Sequence, residues 1–255
     1  QVADIENELR ELRQQVIEKS AISADLQNQL ETRKNFDGNI SSVYELTGSA
    51  AIDSMLRIQP RTEAALELGK CSIQWFRLSS QCSRREPILG ANKSVYAPEP
   101  IDVGRVLQAD ICSNGLKVTL TTPKPIMQVM YLENYLETLV RKQNSDFNVV
   151  ISQMNGRNYT SNSTHVFHIG KTRIKLSRGW ITKARESYSK PMQLCGFRGG
   201  GNCASKSLFW QARKGQNFVL VFESEQERNG ALILARRYAS ECNVLLVGPD
   251  DDALI

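Results

Sequence analysis

Hydrophobic positions along this chain change their period several times, and each change marks a predicted element. Val2, Ile5, Leu9, Leu12 and Val16 recur at alternating spacings of four and three, and the same phase continues through Lys19, Ser23, Leu26 and Leu30. That is a coiled-coil seam with two polar positions in its middle, so residues 1–36 are predicted to form a helix that dimerises. Glu8 and Arg13 fall at g and the following e, where a parallel partner could pair them. An antiparallel arrangement, or a hairpin with an upstream helix, fits equally. The competing arrangement is a single amphipathic helix folded back on its own domain. Pairing is favoured over it because one helix of this length is marginal alone in water. Asp37-Gly38-Asn39 supplies the turn chemistry that ends the helix.

From 43 to 122 the pattern shortens to strand-length runs separated by turn residues. Ser42 to Leu46, Ser54 to Ile58, Ser72 to Leu78, Lys93 to Tyr96, Arg105 to Cys112 and Leu116 to Thr121 are the candidate strands. Such spacing predicts a β-sandwich. Ile73-Gln74-Trp75-Phe76-Arg77 reads like an immunoglobulin C strand with its core tryptophan. Asp102-Val103-Gly104-Arg105-Val106-Leu107-Gln108 resembles the approach to strand F, but Val106 stands at the corner tyrosine and Gln108 at the bridging cysteine. An immunoglobulin-like domain without its inter-sheet disulfide is expected. Trp75 is assigned to core packing rather than ligand stacking.

Thr122-Pro123-Lys124-Pro125 is a short joint, stiffened by its prolines. Val129, Leu132, Leu136, Leu139 and Val140 mark one face of a helix ending near Gln143, expected to be buried between two β domains and to fuse them. Seven strand-like runs follow: Asn148 to Met154, His165 to Ile169, Thr172 to Leu176, Ile181 to Ser187, Met192 to Gly196, Ser207 to Arg213 and Asn217 to Glu223. Glu225 and Glu227 suit a helix N-terminus. Ala231, Leu232, Leu234, Ala235, Tyr238 and Ala239 then form a helical apolar face. Seven strands capped by a C-terminal helix is the layout of a pleckstrin-homology barrel, placed at 126–247 with its leading helix. Asn243 to Val247 is expected to add a strand, and the acids after Pro249 to form a solvated tail.

Charge changes the picture in this last region. From His165 to Leu220 there are eleven Lys or Arg against one acid, Glu186, although the net charge of the whole chain is only +5. Lys171, Arg173 and Lys175 alternate with Thr172, Ile174 and Leu176, which puts cations on one face of a strand and apolar side chains on the other. Lys183 and Arg185 alternate similarly on the next run, and Arg157 sits in the first loop. These six residues are the predicted binding site for inositol phosphates or phosphoinositides, whose clustered phosphates need several converging donors. The first barrel strand carries no cation, so the predicted binding is weak and salt-sensitive. Nucleic acid is the poorer fit, because aromatic residues for base stacking are sparse, with Trp180 and Tyr188 the main candidates.

Catalysis finds no support. His165 and His168 are three apart in a strand, so they face opposite sides and cannot share a metal. Gly199-Gly200-Gly201 through Lys206 fails as a phosphate loop, since Ser205 replaces the required glycine and a β-run follows; a flexible hairpin loop is expected. No metal site, cofactor or catalytic residue is predicted. The six cysteines (71, 82, 112, 195, 203 and 242) show no metal-ligand spacing, and several lie in apolar strands, so free thiols in a reducing cytosol are expected. Four Asn-x-Ser/Thr triplets, starting at Asn39, Asn92, Asn158 and Asn162, carry no meaning there. No apolar run could span a bilayer and no signal-peptide pattern opens the chain; it begins inside the heptad pattern, which reads as a fragment continuing upstream.

The coiled coil, disulfide-free immunoglobulin-like domain and fused barrel together resemble the plant stomatal closure-related actin-binding proteins. The likeness is carried by Ser72-Ile-Gln-Trp75-Phe-Arg-Leu-Ser, Ser94-Val-Tyr-Ala-Pro-Glu-Pro-Ile-Asp-Val-Gly and Phe218-Val-Leu-Val-Phe-Glu-Ser. The resemblance implies a plant cytoskeletal protein that binds, bundles and stabilises actin filaments during stomatal movement, located in the cytoplasm on those filaments. It also implies that dimerisation through the coiled coil supplies the two-handedness crosslinking needs, and that the principal actin-binding region lies upstream. The alternative is a membrane-recruitment adaptor, whose immunoglobulin-like domain binds a protein and whose basic sheet binds anionic lipid.

Overall fold

The computed structural model describes residue 19 and residues 43–251, except 63–64, 66, 79–84, 114–115, 143–144 and 250. The predicted dimerisation seam (Val2, Ile5, Leu9, Leu12, Val16, Leu26 and Leu30) lies outside the described residues.

The first unit is a sandwich of two antiparallel sheets. One holds β1 (Tyr44–Thr47), β2 (Leu56–Pro60) and β5 (Val95–Tyr96) in the order β1-β2-β5. The other holds β3 (Ser72–Leu78), β4 (Arg85–Pro87), β6 (Val106–Ser113) and β7 (Leu116–Thr121) in the order β4-β3-β6-β7. Alternation along β3 turns Ile73, Trp75 and Arg77 inward. Trp75 is fully buried, stacks on Tyr96 at 5.4 Å between ring centroids and donates Nε1–H to the Lys93 carbonyl at 2.8 Å. Replacing such a residue with alanine costs about 3–5 kcal/mol, so Trp75 does structural work. Gln108 pairs with Phe76 across the sheet, and the five described cysteines are all free. Strand β4 was not anticipated: Arg-Glu-Pro has no apolar alternation, and a proline fits only at a sheet edge.

The joint after Thr122 is zipped onto this sandwich. Ile126 N–H donates to the Arg105 carbonyl at 2.9 Å, and Met127 N–H to the Ala50 carbonyl at 2.9 Å. Helix α1 (Met130–Arg141) then runs over the surface. It is not the buried wedge expected. Leu132 and Leu139 are covered, but Met130 is 85% exposed. Its packing partner is α2 (Glu225–Glu241), where Gly230 permits the approach: a Cβ there would meet the Tyr135 ring at 2.6 Å.

The second unit is one bent antiparallel sheet. It comprises β8 (Ser145–Met154), β9 (Arg157–Asn158), β10 (Thr164–Ile169), β11 (Arg173–Arg178), β12 (Ile181–Ser187), β13 (Gln193–Gly196), β14 (Ser207–Arg213) and β15 (Gln216–Phe222). The order is β12-β11-β10-β8-β15-β14-β13, with the short β9 on β8. Phe167 meets Trp210 edge-on at 5.3 Å, and Trp210 stacks on Phe218 at 5.6 Å. Helix α2 closes one end of this core. Ser224 caps it by accepting from Glu227 N–H at 3.2 Å, and the six predicted apolar positions from Ala231 to Ala239 are all buried.

Three local expectations fail here. Val244 to Val247 forms no strand; it runs beside β13, with Leu194 N–H donating to the Val247 carbonyl at 2.9 Å. The acids after Pro249 are not a solvated tail, since Asp251 is 1% exposed. The glycine loop between β13 and β14 is not a free hairpin either. Gly200 takes φ +72°, and a Cβ there would lie 2.8 Å from the Lys93 side chain, so the loop is pressed against the first unit.

Candidate functional site

The outer face of β10, β11 and β12 builds a row of charge. Asp146 lies opposite His168, His168 opposite Lys175, and Lys175 opposite Arg185. Directly opposed side chains have Cβ atoms about 4.5–5.5 Å apart, so Lys175 and Arg185 repel each other at close range. His168 Nδ1 is held by Asp146 Oδ1 at 2.5 Å. Arg173 is two residues along the same face and opposite Ser187. Among the described residues no carboxylate within 4.0 Å neutralises Arg173, Lys175 or Arg185. Like charges fixed side by side on a rigid sheet create a field that favours an anion.

The other three predicted residues are elsewhere. Lys171 precedes β11 in the turn, and Thr172 is exposed rather than core-facing, so the alternation begins only at Arg173. Lys183 falls at a bulge, where Leu176 pairs with Ala184 but Ser177 with Thr182. Its carbonyl accepts from Gln216 Nε2 at 3.3 Å. Arg157 sits on β9, opposite Met154. Strand directions place Lys171 at the helix-capped end of the barrel, and Arg157 and Lys183 at the open end, together with Arg178 and Lys214. Three of the eleven cations are already engaged. Arg198 is buried, Lys206 donates to the Glu223 carbonyl at 3.1 Å, and Arg213 reaches Glu186 at 3.7 Å. Tyr188 is a core residue, with its hydroxyl donating to the Gly170 carbonyl at 2.9 Å. His165 is buried and faces away from His168. Burial, then the charges of Lys183 and Arg178, depress its pKa against the opposing hydrogen bond to the Ser163 carbonyl.

A second polar constellation lies between the two units. Arg77 donates from Nε to Asp102 at 2.5 Å, from Nη1 to Asp251 at 2.7 Å and from Nη2 to Glu99 at 3.3 Å. Arg198 pairs with Glu99 at 2.9 Å and also with Asp251; Arg236 reaches Glu99 at 3.1 Å. Tyr96 OH donates to Asp102 at 2.8 Å. Arg228, fully buried, donates to the Pro98 and Ser205 carbonyls, and Asn229 to the Ile52 carbonyl. Burial alone would push Glu99 up; Arg198, Arg236, Arg77 and the Gly196 N–H instead hold its carboxyl far below the usual range. Helix α2 and this network join the units, and α1 adds to the joint by packing on α2 while Tyr131 OH donates to Asp53 of the sandwich at 2.8 Å. One signal could have exposed it: alternation puts Arg77 on the same inward face as Trp75.

An immunoglobulin-like sandwich joined through buried charges to a pleckstrin-homology barrel defines the class, a mainly β protein of two fused domains. Residues 44–141 match the Ig domain of plant-specific actin-binding protein, and residues 144–251 match the PH domain of plant-specific actin-binding protein. The chain is 57% identical over 250 residues to stomatal closure-related actin-binding protein 2 of Arabidopsis thaliana, covering 98% of this chain and 51% of that protein. It is 54% identical over 250 residues to protein 1 of the same series (98% of this chain, 50% of that protein) and 52% identical over 251 residues to protein 3 (98% and 51%). The chain belongs to this family of plant-specific actin-binding proteins. It spans about half the length of the curated relatives it matches. The matched domains are those of an actin-binding protein family, not of an enzyme family.

Proposed function

We propose that this chain is the dimerisation and regulatory part of a protein that binds, bundles and stabilises actin filaments in the plant cytoplasm. The likeness to the three stomatal closure-related relatives over nearly the whole chain supports this reading. In it, residues 1–36 pair two copies, the main filament contact lies upstream of this chain, and the barrel receives a signal. That signal is an inositol phosphate or a phosphoinositide headgroup, bound weakly on the outer sheet face. The observation that carries the headgroup is the unneutralised group Arg173, Lys175 and Arg185.

Co-sedimentation with filamentous actin, of this chain and of the full-length protein, tests the first half; a full-length protein that stays in the supernatant removes it. Light scattering should give twice the 28.7 kDa chain mass. Calorimetric titration with inositol hexakisphosphate at low and high salt tests the barrel. Heat that vanishes with salt is expected, and no heat at low salt defeats the headgroup assignment.

A further inference from the structure

Ser187 is the last residue of β12, exposed on the outer face and directly opposite Arg173 of β11. The next pair on the same face is Lys175 and Arg185. These four positions form a rectangle, with Cβ atoms about 4.5–5.5 Å apart across the strands and about 7 Å apart along them. Three corners are cations and the fourth is a serine. Among the described residues no carboxylate lies within 4.0 Å of the three cations, and the Ser187 hydroxyl has no hydrogen-bond partner. On the other flank of Arg173 stands Gly170, whose N–H donates to the Arg173 carbonyl at 3.0 Å. A glycine brings no side chain to the guanidinium, which stays free to turn toward Ser187. β12 is the last strand in the sheet order, so no strand of the sheet pairs beyond the serine. An extended edge segment, ending in an exposed hydroxyl with a cation two residues before it, suits the groove of an enzyme that modifies serine in extended chain.

We propose that Ser187 is a phosphorylation site, and that Arg173, Lys175 and Arg185 take up its phosphate and so close the anion site from within. The co-reactant is Mg-ATP on a protein kinase. The bond between Ser187 Oγ and the γ-phosphorus forms as the bond from that phosphorus to the bridging oxygen of ADP breaks, and the hydroxyl proton passes to the kinase's catalytic base. The product carries about −1.5 to −2 charges at neutral pH and three acceptor oxygens. Arg173 meets them across the strands and Arg185 along its own strand, each with paired N–H donors, while Lys175 reaches in from the diagonal. Three cations that repel one another in the unmodified chain are then bridged by one anion, which stabilises the sheet. A soluble inositol phosphate or a lipid headgroup must displace a tethered competitor, whose effective concentration is on the order of millimolar or higher. The inference rests on the anion-binding reading above and adds what switches that site off.

The full chain is prepared with phosphoserine placed at position 187 and, as a control of equal charge, at position 49, an exposed serine of the sandwich. With the phosphate at 187, its phosphorus resonance should titrate below the ordinary value of about 6. The melting temperature should rise, and affinity for inositol hexakisphosphate at low salt should fall at least about tenfold. The control should show none of these changes, and Arg173→Gln should return the titration at 187 toward its ordinary value. Mass spectrometry of the full-length protein from plant tissue should find phosphate on Ser187; its absence in resting and stimulated tissue overturns the modification. An ordinary phosphate titration or a lower melting temperature overturns the clamp. So does an equal loss of affinity in both forms, which net charge alone explains. Unchanged affinity at 187, in a chain whose unmodified form binds, sinks the inference and leaves the headgroup reading standing. If the unmodified chain gives no heat, the headgroup reading falls, whereas a lowered titration and a raised melting temperature still uphold the clamp.

Discussion

Arg77 Nη1 donates to Asp251 Oδ1 at 2.7 Å across 174 residues of sequence, joining an inner strand of the sandwich to the segment that follows the barrel's last helix. Both side chains are almost wholly withdrawn from water. Two buried ions cost several kcal/mol each to desolvate, a cost that excellent geometry and further partners must offset. Here Asp102, Glu99 and Arg198 supply those partners, so removal of one member strands the rest. Arg77→Ala is expected to cost about 3–5 kcal/mol. Trp75 and Trp210 lie one in each unit, so their indole N–H resonances followed by NMR through a urea titration give a direct check. The parent should show coincident midpoints and Arg77→Ala separated ones; coincidence in both would mean that apolar contacts, not the ions, couple the units.

The same network fixes a response to acid. Glu99 has a depressed pKa in the folded chain, so its stabilising contribution is complete above the ordinary glutamate value of about 4.3 and is lost as pH falls below it. Asp110 is also depressed: burial opposes, but hydrogen bonds from Arg85, Lys117 and Thr119 prevail, with the same sign. Glu99→Gln should therefore be less stable at neutral pH and show a flatter fall between about pH 5 and pH 2. Urea midpoints across that range test this; an unchanged slope would assign the acid response to Asp110 and other carboxylates.

Gly248 stands where the last segment folds over the network. A Cβ there would lie 2.7 Å from Arg198 Nη2, 2.7 Å from Asp251 Oδ2 and 2.9 Å from Cys195 Cβ. Gly248→Ala is expected to cost about 1–3 kcal/mol through overpacking, and to expose the Gly248 amide, which donates to Asp251 Oδ2 at 3.1 Å in the parent. Hydrogen exchange at that amide is the measurement: acceleration follows from displacement of Asp251, and full protection would show that the loop absorbs the methyl.

The barrel was legible in the sequence because its signals are local. Alternation set β10, β12 and β14, and the 3.6-residue period set the buried face of α2 from Ala231 to Ala239. The site was legible only in part. Arg173, Lys175 and Arg185 share a face because strand alternation holds there, but the bulge at Lys183 leaves no mark in the residues around it, and Lys171 lies beyond the strand end. Asp251 reads as a solvated acid because its cations, Arg198 and Arg77, lie 53 and 174 residues away. Arg198 reads as a free cation for the complementary reason: its partners Glu99 and Asp251 lie outside the basic stretch from His165 to Leu220. A charge run measures what a segment carries, and only the fold decides which charges remain unpaired.

Lys175 and Arg185 face each other with no counterion among the described residues, so binding and stability should pull in opposite directions at this pair. Arg185→Glu replaces a like-charge pair with an opposite-charge pair directly across the strands, a change worth roughly 0.2–1 kcal/mol in favour of the fold. It also turns a cation of the anion site into a repelling carboxylate, and engages the neighbouring lysine. The variant should melt slightly higher than the parent and bind inositol hexakisphosphate roughly tenfold more weakly, since two charges are lost to the ligand. Thermal melts and low-salt titrations of the same preparation decide it. A higher melting temperature with unchanged affinity would show that the pair meets across the strands but that the anion binds elsewhere, with Arg157, Arg178, Lys183 and Lys214 at the open end of the barrel as the next cations to reverse. A fall in both quantities would mean that Arg185 contributes packing along its aliphatic stem, and that the affinity loss includes a loss of structure.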